Sequence, residues 1–166
     1  MKNLVQIIII ASLVTEIVIN PVIIKGNTYY YEFNEQGEGK LVSDEIEFET
    51  MGNAQDNIQY ILECLFNNEE KLYSFIPEGV TITNILYING ELDVEVSEDI
   101  LNYGGTAREI SMVDQILATV FSYDEVNTFT LYIEEEREYL VEGMSINKYT
   151  RDKWKERIEL IEKNGQ

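Results

Sequence analysis

The dipeptide Asn89-Gly90 stands between two alternating runs, ITNILYI and ELDVEV. Both of its residues accept the positive φ that a two-residue type I′ turn requires, so the pair predicts a tight antiparallel hairpin. Such a turn also sets the register. Ile88 faces Glu91, Tyr87 faces Leu92, Ile85 faces Val94 and Thr83 faces Val96. Side chains alternate across a strand, so Thr83, Ile85, Tyr87, Leu92, Val94 and Val96 share the face assigned to the core. The opposite face carries Asp93 and Glu95 together with Leu86 and Ile88. Aliphatic side chains on a face that should be solvated imply a partial cover. Leu86, Ile88, Asp93 and Glu95 are therefore the candidate partner surface. Val80 and Ile82 run out of phase with Ile85 and Tyr87, which predicts a bulge near Thr83-Asn84.

The rest of the chain supplies elements for this hairpin to pack against. Thr28–Phe33 and Leu41–Phe48 read as strands of a first hairpin or loose β-arm, joined by a turn with two glycines. Asn53 is a good N-cap. Ile58, Ile61, Leu62, Leu65 and Phe66 after it fall on one helical face. Thr106 and Glu109 have the spacing of a capping box. Ile110, Val113, Ile116, Leu117, Val120 and Phe121 form the apolar face of the helix behind them. Phe129–Ile133 and Tyr139–Val141 read as a last hairpin. An odd-length loop, with Ile133 against Tyr139 and Leu131 against Val141, buries most. Thr150 caps a terminal helix whose stripe of Trp154, Ile158 and Ile161 docks either on the domain, the preferred reading, or on a partner. This order of elements gives an α+β fold, a mixed or antiparallel sheet with two helices on one face.

Leu4 to Ile24 is strongly apolar. It reads as a signal peptide, an uncleaved signal anchor, or a buried element of the domain. No small-x-small cleavage site follows it, and 21 residues at ~1.5 Å each match a hydrocarbon core of ~30 Å. The anchor reading is the preferred one, with Glu16 as its cost. The division is then an anchor or signal segment over 1–25, a domain over 28–146 and a helical tail over 147–166. Lys2 before the segment and the acidic body after it would then set the domain on the outer side of the membrane, anchored or secreted.

Charge and composition exclude several classes of function. The net charge is −19, which disfavours nucleic acid and anionic lipid headgroups. There is no histidine, which removes Ser-His-Asp and Cys-His catalysis and His-ligated zinc. The single cysteine, Cys64, allows no internal disulfide and reads as a small buried apolar residue. Asp93 and Glu95 have the residue types of a glycosidase pair, but strand alternation accounts for them. Glu134, Glu135, Glu136 and Glu138 offer oxygen ligands, yet a consecutive run cannot converge on one ion. No catalytic residue, cofactor or metal site is assigned.

Several motifs coincide with a known family. They are Ile76-Pro77-x-Gly79, then Gly90, Val94 and Ser97 in a Gly-x-x-x-Val-x-x-Ser run. A long helix with Thr119 near its end follows, then the link Tyr123-Asp124-Glu125-Val126 into a Phe-rich strand. Over roughly residues 28–146 the chain resembles the GerM domain of sporulation and spore-germination proteins. It departs from that pattern at Asn67-Asn68-Glu69-Glu70, where Gly-Pro is common, and at Glu134-Glu135-Glu136, where Asp-Gly is usual. The resemblance implies a non-enzymatic, extracytoplasmic module, similar to ring-building domains, that binds envelope or sporulation-complex proteins or its own copies. The alternative is an acidic binding domain for a cation or a cell-wall ligand.

Overall fold

A computed structural model describes residues 21–67, 72–134 and 137–164. The Asn89-Gly90 turn forms, with φ of 51° and 86° at its two residues. It joins β3 (Ile82–Ile88) to β4 (Glu91–Val96); the labels follow chain order. Ile88, Leu86 and Ile85 pair with Glu91, Asp93 and Val94 as expected. The register shifts between Ile82 and Asn84, at the predicted bulge. The bulge puts Ile82, not Thr83, opposite Val96. Thr83 is exposed, a correction to the core assignment, because the inserted residue turns its side chain outward.

Gly90 does more than turn the chain. Its carbonyl accepts from the Asn127 and Thr128 N–H groups at 2.8 and 3.1 Å. A Cβ there would lie 2.5 Å from Asn127 Nδ2 and 3.2 Å from the Glu125 carbonyl oxygen. Gly90→Ala therefore adds a clash to a left-handed φ, with an expected loss of about 1–2 kcal/mol. Urea denaturation checks this. An unchanged midpoint would show that the turn relaxes freely.

Helix α2 (Thr106–Phe121) carries the chain from β4 to β5 (Thr128–Ile133), which runs parallel to β4. A single 3₁₀ turn, Glu98–Leu101, precedes the helix. The four-stranded sheet has the order β3-β4-β5-β6, where β6 is Tyr149–Thr150. Leu92, Val94 and Val96 of β4, and Phe129, Leu131 and Ile133 of β5, share one core with Val113, Ile116, Leu117 and Val120 of α2. None of them is more than 3% exposed. Helix α1 (Ala54–Phe66) joins that core through its predicted stripe, every member of which is buried. The Asn53 side chain caps it, accepting from the Asp56 N–H at 2.9 Å. Cys64 is only half-buried, and burial pushes its thiol up.

The first hairpin is longer than the sequence suggests. β1 (Ile23–Phe33) and β2 (Gly39–Glu49) pair along all eleven residues and form a sheet of their own. Ile23 and Ile24 thus belong to a strand, not to the apolar leader in which the sequence reading placed them. The anchor assignment for Leu4 to Asn20 lies outside the described residues. Among the described residues no helix is long and apolar enough to cross a membrane. Gly26 lets β1 close on α1, since a Cβ there would meet Ile61 Cδ1 at 2.6 Å.

A polar stripe on α2 holds β1 in place. Gln115, Thr119 and Ser122 follow at i, i+4 and i+7, on one side of the helix. Thr119 Oγ1 accepts from the Tyr29 N–H at 3.0 Å. Gln115 Nε2 donates to the Tyr29 carbonyl at 3.1 Å, and Ser122 Oγ donates to the Asn27 carbonyl at 3.2 Å. Gln115 Oε1 also accepts from the Phe75 N–H at 2.7 Å. The helix thus takes the part that a neighbouring strand would play.

The last hairpin departs from expectation. A three-residue loop sets Ile133 against Arg137, so the loop is odd, but Ile133 does not face Tyr139. Tyr139 pairs with Ser145 in a second small turn. Strand β5 then takes its antiparallel partner later, with Leu131 N–H donating to the Ile146 carbonyl and Phe129 facing Tyr149. Helix α3 (Arg151–Asn164) ends the fold, with Lys153 N–H donating to Thr150 Oγ1. Trp154 is buried against the domain, and Ile158 and Ile161 are half-buried. Arg151 donates to the carbonyls of Phe121, Tyr123 and Val126 and lies over the Phe121 ring. It thereby satisfies the last carbonyl of α2 and two carbonyls of the link to β5.

Candidate interaction surface

Alternation along β3 and β4 brings the four candidate residues onto one open face. Leu86 lies opposite Asp93 across the ladder, and Glu95 lies opposite Asn84. Leu86 is 49% exposed and Ile88 55%, while Asp93 and Glu95 are half-buried. Leu86, Ile88, Asn89, Glu91 and Asp93 line a shallow concavity of about 260 Å³. Glu95 lies beyond it. On the β5 side, Glu91, Asp93 and Glu95 run beside Thr128, Thr130 and Tyr132 in register. Thr130 is buried, and its hydroxyl accepts from the Lys148 N–H at 3.2 Å. The outer face is thus closed toward β6 and open at Leu86 and Ile88, with three carboxylates along its middle strand.

A second concavity, about 420 Å³, opens between α2 and α3. Ile110, Met144, Leu160 and Ile161 line it, with the Asp114–Arg157 ion pair. Ile110 is 40% exposed, a correction to its place on the core stripe, and Met112 is buried instead. The pair is short, 2.5 Å from Asp114 Oδ1 to Arg157 Nε. Burial pushes the Asp114 carboxyl above the usual carboxylate range, and Arg157 pulls it back.

The predicted capping box does not form. Gly105 is the N-cap, and Thr106 is the first helical residue. The Glu109 carboxylate is buried, with 0% exposure. It accepts the Glu142 N–H at 2.6 Å, the Met144 N–H at 2.8 Å and the Tyr103 hydroxyl. Burial, then the bond to Glu109, pushes the Tyr103 phenol up. Capping passes to a distant residue. Glu142 Oε1 accepts from the Gly105 N–H at 3.0 Å, and its other oxygen from the Thr106 hydroxyl. Glu109 and Glu142 together pin the segment after β5 to the start of α2. This segment therefore turns away from the hairpin register expected for Tyr139–Val141. Sequence spacing missed the arrangement because Glu three residues after Thr is also what a local cap requires.

The acidic run gives no convergent site within view. Glu135 and Glu136 lie outside the described residues. Glu138 accepts from Asn147 Nδ2 at 3.0 Å. Among the described residues no three acidic or cysteine side chains come together as a metal ion would need.

Comparison with known proteins adds the family. Solved structures share the fold, among them three. One is the first GerMN domain of the sporulation protein GerM from Bacillus subtilis, at TM-score 0.57 and 16% identity, covering 78% of this chain and 98% of that one. Another is the tandem GerMN structure of the same protein, at TM-score 0.54 and 17% identity, covering 78% of this chain and 47% of that one. The third is a protein described as a lipoprotein from Clostridium perfringens, at TM-score 0.53 and 15% identity, covering 81% and 93%. No curated protein sequence matches the chain. The family model Germane, described as sporulation and spore germination, matches residues 19–139, well over half of the sequence. The chain belongs to the Germane family of sporulation and spore germination domains.

Proposed function

We propose that the protein is a non-enzymatic assembly module on the extracytoplasmic face of the bacterial membrane, active in sporulation or germination. Its partners are proteins of an envelope complex. Family membership over residues 19–139 supports the setting. The observation that carries the binding role is the outer face of β3 and β4, where Leu86 and Ile88 stay about half exposed beside Asp93 and Glu95. Exposed aliphatic side chains rimmed by charges suit a protein partner better than a small polar ligand. The apolar leader of the sequence and the lipoprotein among the structural neighbours both support a membrane-proximal site.

The test uses a photo-crosslinking residue at Ile88 in sporulating cells, with protease added to intact cells. The expected result is a protease-accessible chain crosslinked to an envelope protein. Leu86→Glu should abolish the crosslink without changing the melting temperature, because an exposed substitution shifts stability by only about 0.5 kcal/mol. A protease-protected chain with no crosslink would overturn the proposal.

A further inference from the structure

Every buried or exposed backbone group needs a partner or water, so strand edges can be followed group by group. In the first sheet, the Tyr29 N–H and carbonyl both turn away from β2, toward α2. The Tyr29–Ser43 pair is therefore one that exchanges no backbone hydrogen bonds, and alternation extends this to Tyr31–Leu41, Asn27–Glu45 and Lys25–Glu47. It follows that the N–H and carbonyl groups of Leu41, Ser43, Glu45 and Glu47 point outward from β2. Among the described residues none of these groups meets a protein partner.

Among the described residues the other edges are taken up, partly covered or short. β1 gives its outer edge to Gln115, Thr119 and Ser122, and Tyr31 N–H donates to the Tyr73 carbonyl at 2.9 Å. At β3 the Tyr87 N–H donates to Gln55 Oε1 at 3.0 Å. β6 is two residues long and runs directly into α3. The edge of β2 is long, exposed and open, and open edges of that length are what proteins normally blunt.

Its side chains decide what could add there. Glu45, Glu47 and Glu49 share one face, and Lys25 bridges the first two at 2.7 and 3.0 Å. Asp44 is exposed on the other face. The strip stays negative after Lys25 is counted. A second copy pairing β2 with β2 would bring like carboxylates side by side, which opposes it. A strand with a basic residue at every second position would set each one beside Glu45, Glu47 or Glu49.

We propose that the outer edge of β2 is a docking edge for an extended segment of a different protein, one that carries Lys or Arg at alternate positions. The segment adds as a third strand, held by the backbone groups of Leu41, Ser43, Glu45 and Glu47 and selected by the glutamates. This inference rests on reading the domain as a protein-binding module, and it names a surface separate from Leu86 and Ile88.

The test titrates the full chain, held in neutral detergent, with a nine-residue peptide of alternating lysine and valine. A control peptide has proline in place of each valine, with equal charge and no capacity to form a strand. Amide hydrogen exchange is read residue by residue. The expected result is protection of the Ser43, Glu45 and Glu47 amides by about tenfold or more with the valine peptide alone. Ser43→Pro removes an N–H that faces away from β1, so folding is kept while binding weakens by about tenfold. Equal binding of both peptides, absence of binding, or protection elsewhere than β2 would overturn the proposal. The protection map of the unaltered chain decides the matter even if Ser43→Pro lowers the melting temperature. Protection at β2 without an envelope partner in cells would sink the assembly reading instead and leave the edge standing.

Discussion

Glu109→Ala is expected to lower stability by about 2–4 kcal/mol. The substitution removes the acceptor for the Glu142 and Met144 N–H groups and for the Tyr103 hydroxyl, and leaves a void at a position with no exposure. Each buried donor left unmet costs about 1–3 kcal/mol, reduced here because the Glu142 side reaches solvent. The carboxylate is tolerated in the interior because three donors surround it at the positive end of α2. Glu109→Gln should recover less than half of the loss. Its amide keeps one carbonyl oxygen but turns an NH₂ group toward a backbone donor. Urea denaturation gives the free energy, and faster exchange of the Glu142 and Met144 amides locates the damage. A Glu109→Ala protein within about 0.5 kcal/mol of the parent would mean that residues 137–145 hold to the domain without this carboxylate.

The second large effect concerns the stripe on α2. Thr119→Val preserves shape and removes the acceptor for the Tyr29 N–H, for an expected loss of about 1–3 kcal/mol. Gln115→Leu removes both the donor to the Tyr29 carbonyl and the acceptor for the Phe75 N–H, so its loss should be the larger of the two. The double variant should lose less than the sum, because both side chains serve the same residue of β1 and the strand lifts once either is gone. Full additivity in a double-mutant cycle would show that Gln115 and Thr119 act on independent contacts. Neither substitution alters Leu86 or Ile88, so a partner bound on the outer face of β3 and β4 should be retained wherever the variants stay folded.

Glu109 read as part of a cap, and Gln115 and Thr119 carried no contact in the sequence reading; the reason is physical. Local chemistry was legible. The Asn89-Gly90 turn, the bulge before Asn84, the Asn53 cap and the stripe of α1 depend on neighbours within a few positions, and they formed. The outer face of β3 and β4 followed from alternation alone, so Leu86, Ile88, Asp93 and Glu95 could be grouped before any coordinates. Residues that act at long range were not legible. Glu109 has the spacing of a cap, yet its two backbone partners, Glu142 and Met144, lie more than thirty positions away. Gln115 and Thr119 interrupt an apolar helix for the sake of a strand nearly ninety positions earlier. The open edge of β2 was hidden because periodicity assigns faces, whereas an edge depends on which other elements arrive beside it. Ile110 was misplaced for a related reason. The period of α2 points it inward, but α3 and Met144 approach only close enough to leave a groove.

Arg151 extends the unit that must fold together. The family pattern ends at residue 139, yet the carbonyls at the close of α2 and in the link to β5 are held from residue 151. The terminal helix is therefore not a detachable appendix to a complete domain. A protease cut between Ile146 and Arg151 would strip the donors from Phe121, Tyr123 and Val126 and unseat Trp154 in the same event. Homology and cooperativity draw different borders on this chain, and a fragment chosen by the first would lack a piece that the second requires.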